Sequence, residues 1–542
     1  MEPLETGPPS TRPPRGRDDP FGRAMADLTE CQRQAVDSES EALCIIAGAG
    51  SGKTRVLTLR AARRIRDASA EADHTLICTF TRKAAHELRQ RLHLYGVTVS
   101  IPARPGGVPS PGVRAGTLHQ LALTLLRREA LDAGRPPPAV AEHRYRMLTN
   151  LVADPALASA VDTEIGWAKA NCLTASSYGA AAPDAGRPAG ISVDQVVNAF
   201  SAYEASLQRR HMLDLDDVLV RAADLIDDDS GFAERMRWRY RHLSIDEFQD
   251  VNPAQFKLIL ALLGNRRDLC AVGDPNQAIY GWNGADPGLL NRLHDVVGGL
   301  VVVRLDHNHR SSPQVVAAAA AALGPSAVVP PRSLAPDGPL PVVTGYEDDT
   351  AEAEGVAALL ARRSAEGVRW SDQAVLARTH DQLSVMGQAL TRAGIPHRMT
   401  PGREAAATGG STGPRSSEGP AQGGAAGTDA VELATFHRAK GLEWSSVMVI
   451  GLEDGFVPII YAESDATREE ERRLLYVALT RASRDLHCSW SRARTMGHGA
   501  KVERRPSPWL AAVTRVSREG AGKPTPMETG RRIAEIRAGL RT

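Results

Sequence analysis

The stretch "ALCIIAGAGSGKTRVLTLRAARRI" (residues 42–65) decides the fold of this chain. An apolar run from Ala42 to Ala47 enters a glycine-rich turn, and a helical pattern starts at Lys53. Strand, loop and helix in that order turn the backbone N–H groups of Gly48, Ala49, Gly50, Ser51, Gly52 and Lys53 toward a common point, at the positive end of a helix. Such a point takes an anion. In this pattern Lys53 reaches the β- and γ-phosphates of a nucleotide and Thr54 ligates Mg2+. The usual phosphate-loop formula begins with Gly, where this chain has Ala47. A glycine-rich turn that holds no nucleotide is the competing reading.

A second stretch, "HLSIDEFQDVNPAQF" (242–256), supplies what a phosphate loop needs for chemistry. An apolar strand delivers Asp246 and Glu247 at its C-terminal end, where open α/β sheets bind ligands. Asp246 suits Mg2+ coordination, and Glu247 suits a base that aligns or deprotonates an attacking water. The alternative is a solvated turn with two acids. Further strand-like runs, "TLICTF", "DLCAVGD" and "LVVVRLD", alternate with helical patterns such as "RKAAHELRQRL". A second series follows about residue 340: "DQAVLAR", "VELATFH", "SSVMVIGL" and "DLHCSW". The expected class is α/β, with parallel sheets flanked by helices, and a helical stretch about 121–210 interrupts the first series.

Composition narrows the function. A chain of 542 residues exceeds one core, and a net charge of +1 means that any nucleic-acid partner must meet local basic surfaces. Six cysteines without CxxC spacing argue against a disulfide framework or a zinc site. No apolar run reaches membrane-span length and the N-terminus has no signal-peptide pattern, so a cytoplasmic protein without a membrane partner is expected. Only seven of the 65 basic residues are lysine, so Lys53 stands out as a place where a compact ammonium is used.

Nine motifs then occur in order: "LTECQRQAV", "AGAGSGKTR", "TFTRKAAHELRQRL", "GTLHQLALTLLR", "IDEFQD", "VGDPNQAIYGWNGAD", "LDHNHRSS", "ATFHRAKGLEW" and "EEERRLLYVALTRA". With them the chain resembles the UvrD/Rep/PcrA superfamily 1 DNA helicases, and within these the second UvrD paralogue of actinobacteria. The resemblance implies two RecA-like lobes with ATP between them and single-stranded DNA across both. It implies an ATP-driven helicase or translocase moving 3′→5′ on single-stranded or 3′-tailed DNA, in repair or replication. Gln32 matches the adenine reader, Arg55 a base contact and Glu443 a residue near the ribose. Gln277 matches the γ-phosphate sensor, and Arg310 and Arg481 match arginines that meet the γ-phosphate. Phe80, Tyr280 and Trp282 match stacking positions on the DNA path, with His119 and His437 as polar contacts. Where relatives carry Tyr-Arg this chain has His309-Arg310, and His309 either stacks on adenine or faces solvent. Lys83 either meets a DNA phosphate or covers a solvated helix face.

The domain expectation is a disordered tail at 1–25, a first lobe at 26–305, a second at 306–512 and a C-terminal tail at 513–542. The second lobe is interrupted by a flexible linker at 403–429, "REAAATGGSTGPRSSEGPAQGGAAGTD". Relatives insert an accessory subdomain, called 2B, at this place. A Gly/Ala/Ser-rich run cannot form a packed core, and the 22 residues of its stretch 407–428 span about 25 Å as a coil. Two other readings follow from that shortness or against it: a translocase that remodels protein–DNA complexes with little unwinding, and a DNA-binding regulator with a vestigial ATP site.

Overall fold

The computed structural model describes residues 19–100, 110–141, 143–152, 154–187, 190–324, 328–400, 429–495 and 500–519. Its described residues divide into two compact units. The first takes them from Met1–Ala47, Gly52–Gly273 and Trp282–Leu305; the second from Gly48–Ser51, Asp274–Gly281 and Asp306–Thr542. Each is a RecA-like lobe built on its own parallel sheet.

In the first unit six strands run in the order Arg114–Gly116, Thr75–Cys78, His242–Ile245, Leu269–Gly273, Ala42–Ala47, Val301–Leu305. Every pairing is parallel. Strand alternation assigns the two faces. Leu43 and Ile45 pack with Val56, Leu57 and Leu59 of the helix Lys53–Arg66, while Cys44 joins Leu258 and Leu262 of the helix Pro253–Leu263 on the other face. Burial on both faces is why these strands read as continuous apolar runs. In the second unit the seven-stranded order is His397–Met399, Val431–Thr435, Gln373–Ala377, Trp444–Val449, Ala482–Ser491, Val342–Tyr346, Arg518–Glu519, again all parallel. Val375 and Ala377 face one core cluster and Ala374 and Leu376 the other.

Several boundaries differ from expectation. Residues 20–26 are not tail: Pro20–Ala26 is a helix, N-capped by Asp19 with Pro at its first turn. Phe21 anchors it, edge-on to Tyr95 at 6.1 Å and 4.4 Å under the Arg66 guanidinium. One aromatic outweighs a polar composition. The helical insertion is also shifted. Helix Leu118–Asp132 belongs to the first sheet's core through Leu121, Ala122 and Leu125. A separate cluster forms from the helices Arg144–Val152, Pro155–Ala170, Ala175–Asp184 and Val193–Arg209. Paired strands Ala139–Ala141 and Met212–Asp214 tie off its ends. At the C-terminus, Leu510–Thr514 is a helix and Arg518–Glu519 pairs with Val342–Val343, so the second lobe extends past residue 512. Residues 1–18, 520–542 and 401–428, with nearly all of the expected linker, lie outside the described residues.

Candidate functional site

In the first unit the strand Ala42–Ala47 and the strand His242–Ile245 end on the same edge of the sheet, because both are parallel members of it. Ala47 is fully buried as the last strand residue, which a methyl group tolerates. Gly52 has φ +82° as it caps the helix Lys53–Arg66, a conformation that suits glycine. Lys53 Nζ is buried, makes no hydrogen bond, and lies 3.6 Å from Glu247 Oε2. A buried ammonium without a hydrogen-bond acceptor is costly, and phosphate oxygens are the acceptors that this loop geometry offers. The residues therefore fit a nucleotide. Thr54, beside Lys53 in the helix's first turn, and Asp246 are the side chains that would hold its Mg2+.

The acids are tuned by burial. Burial, reinforced by the Glu247 carboxylate, pushes Asp246 up to about 7, and Lys53 opposes the shift. A bound divalent cation would supply the missing compensation. Glu247 occupies the left-handed region at φ +52°, where a non-glycine residue is strained and such strain gathers at functional sites. Its N–H donates to Asp246 Oδ1 at 3.0 Å, and Gln249 Nε2 donates to its Oε2 at 2.6 Å. Gln249 is fully buried and was not singled out from sequence. The signal was present in "DEFQD": the two-residue spacing brings the amide back across the short 3-10 turn Phe248–Asp250.

Phe80 and His119 line one cleft with Asp246 and Glu247, so two residues expected on the DNA path stand beside the two acids expected to act on ATP. His119 Nε2 is 3.9 Å from Asp216 Oδ1. Burial would raise the Asp216 carboxyl, but His119 and Arg144 outweigh it and hold that carboxyl below its usual range. Gln32 is buried; its Oε1 accepts the Thr29 N–H at 3.2 Å in a capping box. A Cβ on Gly52 would sit 3.0 Å from Gln32 Nε2, which places that amide against the phosphate loop. Arg55 reaches the N-terminal helix instead, through the Ala24 carbonyl at 3.0 Å and Asp27 at 3.7 Å. Trp282 is 47% exposed, as a stacking platform requires.

The second unit holds the rest. Gly50 has φ +69°, and a Cβ there would meet Asn308 Oδ1 at 2.5 Å. The same oxygen accepts from the N–H groups of Arg310 and Ser311 at 2.8 and 2.9 Å, and His309 donates its N–H to the Gly50 carbonyl at 2.8 Å. Ser51 Oγ donates to the Gly48 carbonyl at 2.8 Å. Ala49, buried, packs in the cluster that contains Tyr476. Arg310 is ion-paired with Glu443, so two expected nucleotide contacts hold each other. Arg481 is buried and donates to the carbonyls of Val477 and Leu442 at 2.9 and 3.1 Å. Gln277 Nε2 donates to Asp274 Oδ2 at 2.5 Å, and the Gln277 carbonyl accepts from Lys440 Nζ at 2.7 Å. Lys440 also lies 5.0 Å over the Tyr280 ring, whose centroid is 6.5 Å from that of His437. Burial, then the charges of Arg378, Lys440 and Arg438, push His437 down to about 3, so it is a neutral ring. Asn308 and Asp274, which hold Arg310 and Gln277, sit inside quoted motifs but carry no signature of their own; Lys440, also inside one and expected as a phosphate or motif contact, here meets the Gln277 carbonyl.

Comparison with known proteins gives concordant matches. The family model described as the UvrD/REP helicase N-terminal domain matches residues 28–297, and that of the UvrD-like helicase C-terminal domain matches 418–493. The chain is 32% identical to "ATP-dependent DNA helicase UvrD2" of Mycobacterium tuberculosis H37Rv, over 90% of this chain and 82% of that protein. It is 30% identical to PcrA of Leuconostoc citreum and to Rep of Escherichia coli K12, over 69% of this chain and 50% and 55% of theirs.

Proposed function

The chain belongs to the UvrD/Rep family and is an ATP-hydrolysing DNA helicase; from that premise we propose that it moves 3′→5′ on single-stranded DNA, in the cytoplasm, in DNA repair or replication. The observation that carries the assignment of its chemistry is the buried, unsatisfied Lys53 ammonium 3.6 Å from Glu247. Mg2+-bound ATP supplies the phosphoryl group and the free energy when bound. Lys53 and the loop N–H groups hold the phosphates, with Thr54 and Asp246 on the metal. Glu247, aimed by Gln249, orients water and accepts its proton. Gln32 and Arg55 are assigned to the base and Glu443 to the ribose. Gln277, Arg310 and Arg481 are assigned to the γ-phosphate, where the amide senses it and the two fixed guanidinium charges stabilise developing charge. In this state Arg310 and Arg481 are engaged locally, so their service requires a switch of partners. Phe80, His119, Tyr280, Trp282 and His437 are assigned to DNA. Among the described residues no helix is long and apolar enough to cross a membrane.

A second reading, a translocase that unwinds poorly alone, draws on one feature. Strands His397–Met399 and Val431–Thr435 are direct parallel neighbours, and only residues 400–430 lie between them in sequence. A Gly/Ala/Ser-rich segment of that length is too short for an accessory subdomain. Strand separation of 3′-tailed and 5′-tailed duplexes, measured beside translocation on one preparation, tests both. Unwinding from 3′ tails supports the helicase reading; translocation without unwinding supports the second; no response to any single strand refutes both.

A further inference from the structure

The first unit carries a second cationic surface, remote from the cleft of Asp246. Strand His242–Ile245 delivers Asp246 at its C-terminal end, and about 13 Å of rise separates that end from His242. Immediately before His242 comes "RWRYRH" (237–242), in which arginine alternates with aromatic rings. Trp238 is 60% exposed, edge-on to His74 at 4.0 Å, with the Arg241 guanidinium 5.5 Å over its ring. Arg114 and Arg239 flank Tyr240 at 5.7 and 6.0 Å. Arg266 donates to the Leu262 and Tyr240 carbonyls at 2.7 and 3.4 Å, which brings the turn after the helix Pro253–Leu263 to the same place.

Charge here is not balanced. Glu71 is taken by Arg241 and His242, Asp268 by Arg64 and His242, and Asp73 accepts the Gly112 N–H. Arg114, Arg237, Arg239 and Arg266 have no carboxylate within ion-pair distance among the described residues. Arg266 Nη1 is buried with no hydrogen-bond partner. Burial pushes the Arg266 guanidinium down, with Asp268 opposing and the Arg237 and Arg241 charges adding to the shift; burial and Arg239 do the same to Arg114 against Tyr240 and Asp73. In a chain of net charge +1 this is a local concentration, not a reflection of composition. Such crowding is relieved by an anion.

We propose that this surface is a second binding site for single-stranded nucleic acid, with phosphates on Arg114 and Arg239 and a base stacked on Trp238. Guanidinium groups beside an exposed indole are the combination that grips a backbone and stacks a base without reading sequence. An acidic peptide would satisfy the arginines but leave Trp238 uncovered. The proposal rests on the reading of the chain as a DNA-bound motor and adds a site outside that motor's cleft.

The test uses the full chain and two oligothymidylates, of about 12 and about 40 nucleotides, since single-strand sites span roughly 4–16 nucleotides. Binding is measured across salt concentrations for the wild type, Trp238→Ala and Arg114→Ala/Arg239→Ala. The wild type is expected to bind the long strand about tenfold or more tighter than the short one. Each variant should lose that difference, and the double variant's salt slope should fall by about 1.4 for two lost phosphate contacts. Short-strand ATPase should stay at the wild-type level, which also reports intact folding. Retention of the full length-dependent gain in both variants overturns the proposal. So does polyglutamate of matched charge that binds the wild type as tightly as the long strand and is lost equally in the variants. Failure of the short strand to stimulate the wild-type ATPase sinks the motor reading instead; loss of long-strand binding in the variants still supports the surface.

Discussion

Gln249→Ala should separate catalysis from nucleotide binding. Gln249 Nε2 donates to Glu247 Oε2 at 2.6 Å, and the amide is fully buried. A hydrogen bond to a charged group contributes about 1.5–3 kcal/mol, and every 1.36 kcal/mol of barrier is tenfold in rate. If the bond serves to aim Glu247 at the attacking water, its loss should lower kcat about 10- to 100-fold. Lys53 and the loop N–H groups, the proposed phosphate holders, are untouched, so KM for ATP should stay within about twofold. Steady-state ATP hydrolysis at saturating single-stranded DNA measures both. Truncating a buried amide also leaves a void, so the melting temperature is recorded alongside; a fall of a few degrees is compatible with the argument. A kcat within about twofold of wild type refutes it, because Glu247 would then hold its orientation through its left-handed backbone alone. A large rise in KM with unchanged kcat also refutes it, by placing Gln249 in ground-state binding.

Gly50→Ala should abolish ATP hydrolysis while leaving single-strand binding measurable, since φ +69° disfavours a side chain and the added Cβ would lie 2.5 Å from Asn308 Oδ1; equal ATPase would show that the loop relaxes freely. Arg310→Ala should lower DNA-stimulated kcat by roughly 10³-fold if the residue serves the γ-phosphate as arginine fingers do. Its ion pair with Glu443, a 58% exposed partner, adds little to stability, so thermal denaturation should barely move. Acid sensitivity should trace partly to His487, buried against Thr344 at 3.0 Å. Burial, then Arg362 and Arg363, push it down to about 4. The unfolded chain takes up this proton near pH 6.5, so stability is whole above that value. It falls by about 1.4 kcal/mol per pH unit toward pH 4. His487→Gln should flatten denaturation midpoints measured between pH 7.5 and 5 by that slope; an unchanged slope excludes the histidine as the cause.

The parallel sheets were legible because their strands are buried on both faces, which writes Leu43 to Ile46 and Val447 to Ile450 as apolar runs. The placement of Lys53, Asp246 and Glu247 was legible for a related reason: it depends on backbone position at strand ends, and sequence order encodes that position. Boundaries were less so. Helix Leu118–Asp132 has the same helical pattern as the four that follow it, and only the partners of Leu121 and Leu125 place it in the sheet's core. At the N-terminus, Phe21 sits in a polar stretch, and its value depends on Arg66 and Tyr95 far along the chain.

Least legible was the way the helical insertion reaches the cleft. Arg144 opens the insertion's first helix and donates to Asp162, Asp214 and Asp216 at 2.6, 3.1 and 2.7 Å. Lys169, buried, joins through Asp217 at 2.7 Å, and the Tyr203 hydroxyl donates to Asp214 at 2.9 Å. Asp216 in turn faces His119, which lines the cleft of Asp246 and Glu247. Each of these residues read alone is an unremarkable charge on a helix or turn. Their meaning is pairwise, across 18 to 72 positions for Arg144, and spacing carries no trace of it. A buried cluster of this kind contributes more to fixing one arrangement than to net stability, because desolvation offsets much of the attraction. Its consequence is geometric: the insertion is tied through Arg144 to Asp216, and Asp216 lies 3.9 Å from His119, which lines the cleft of Asp246 and Glu247.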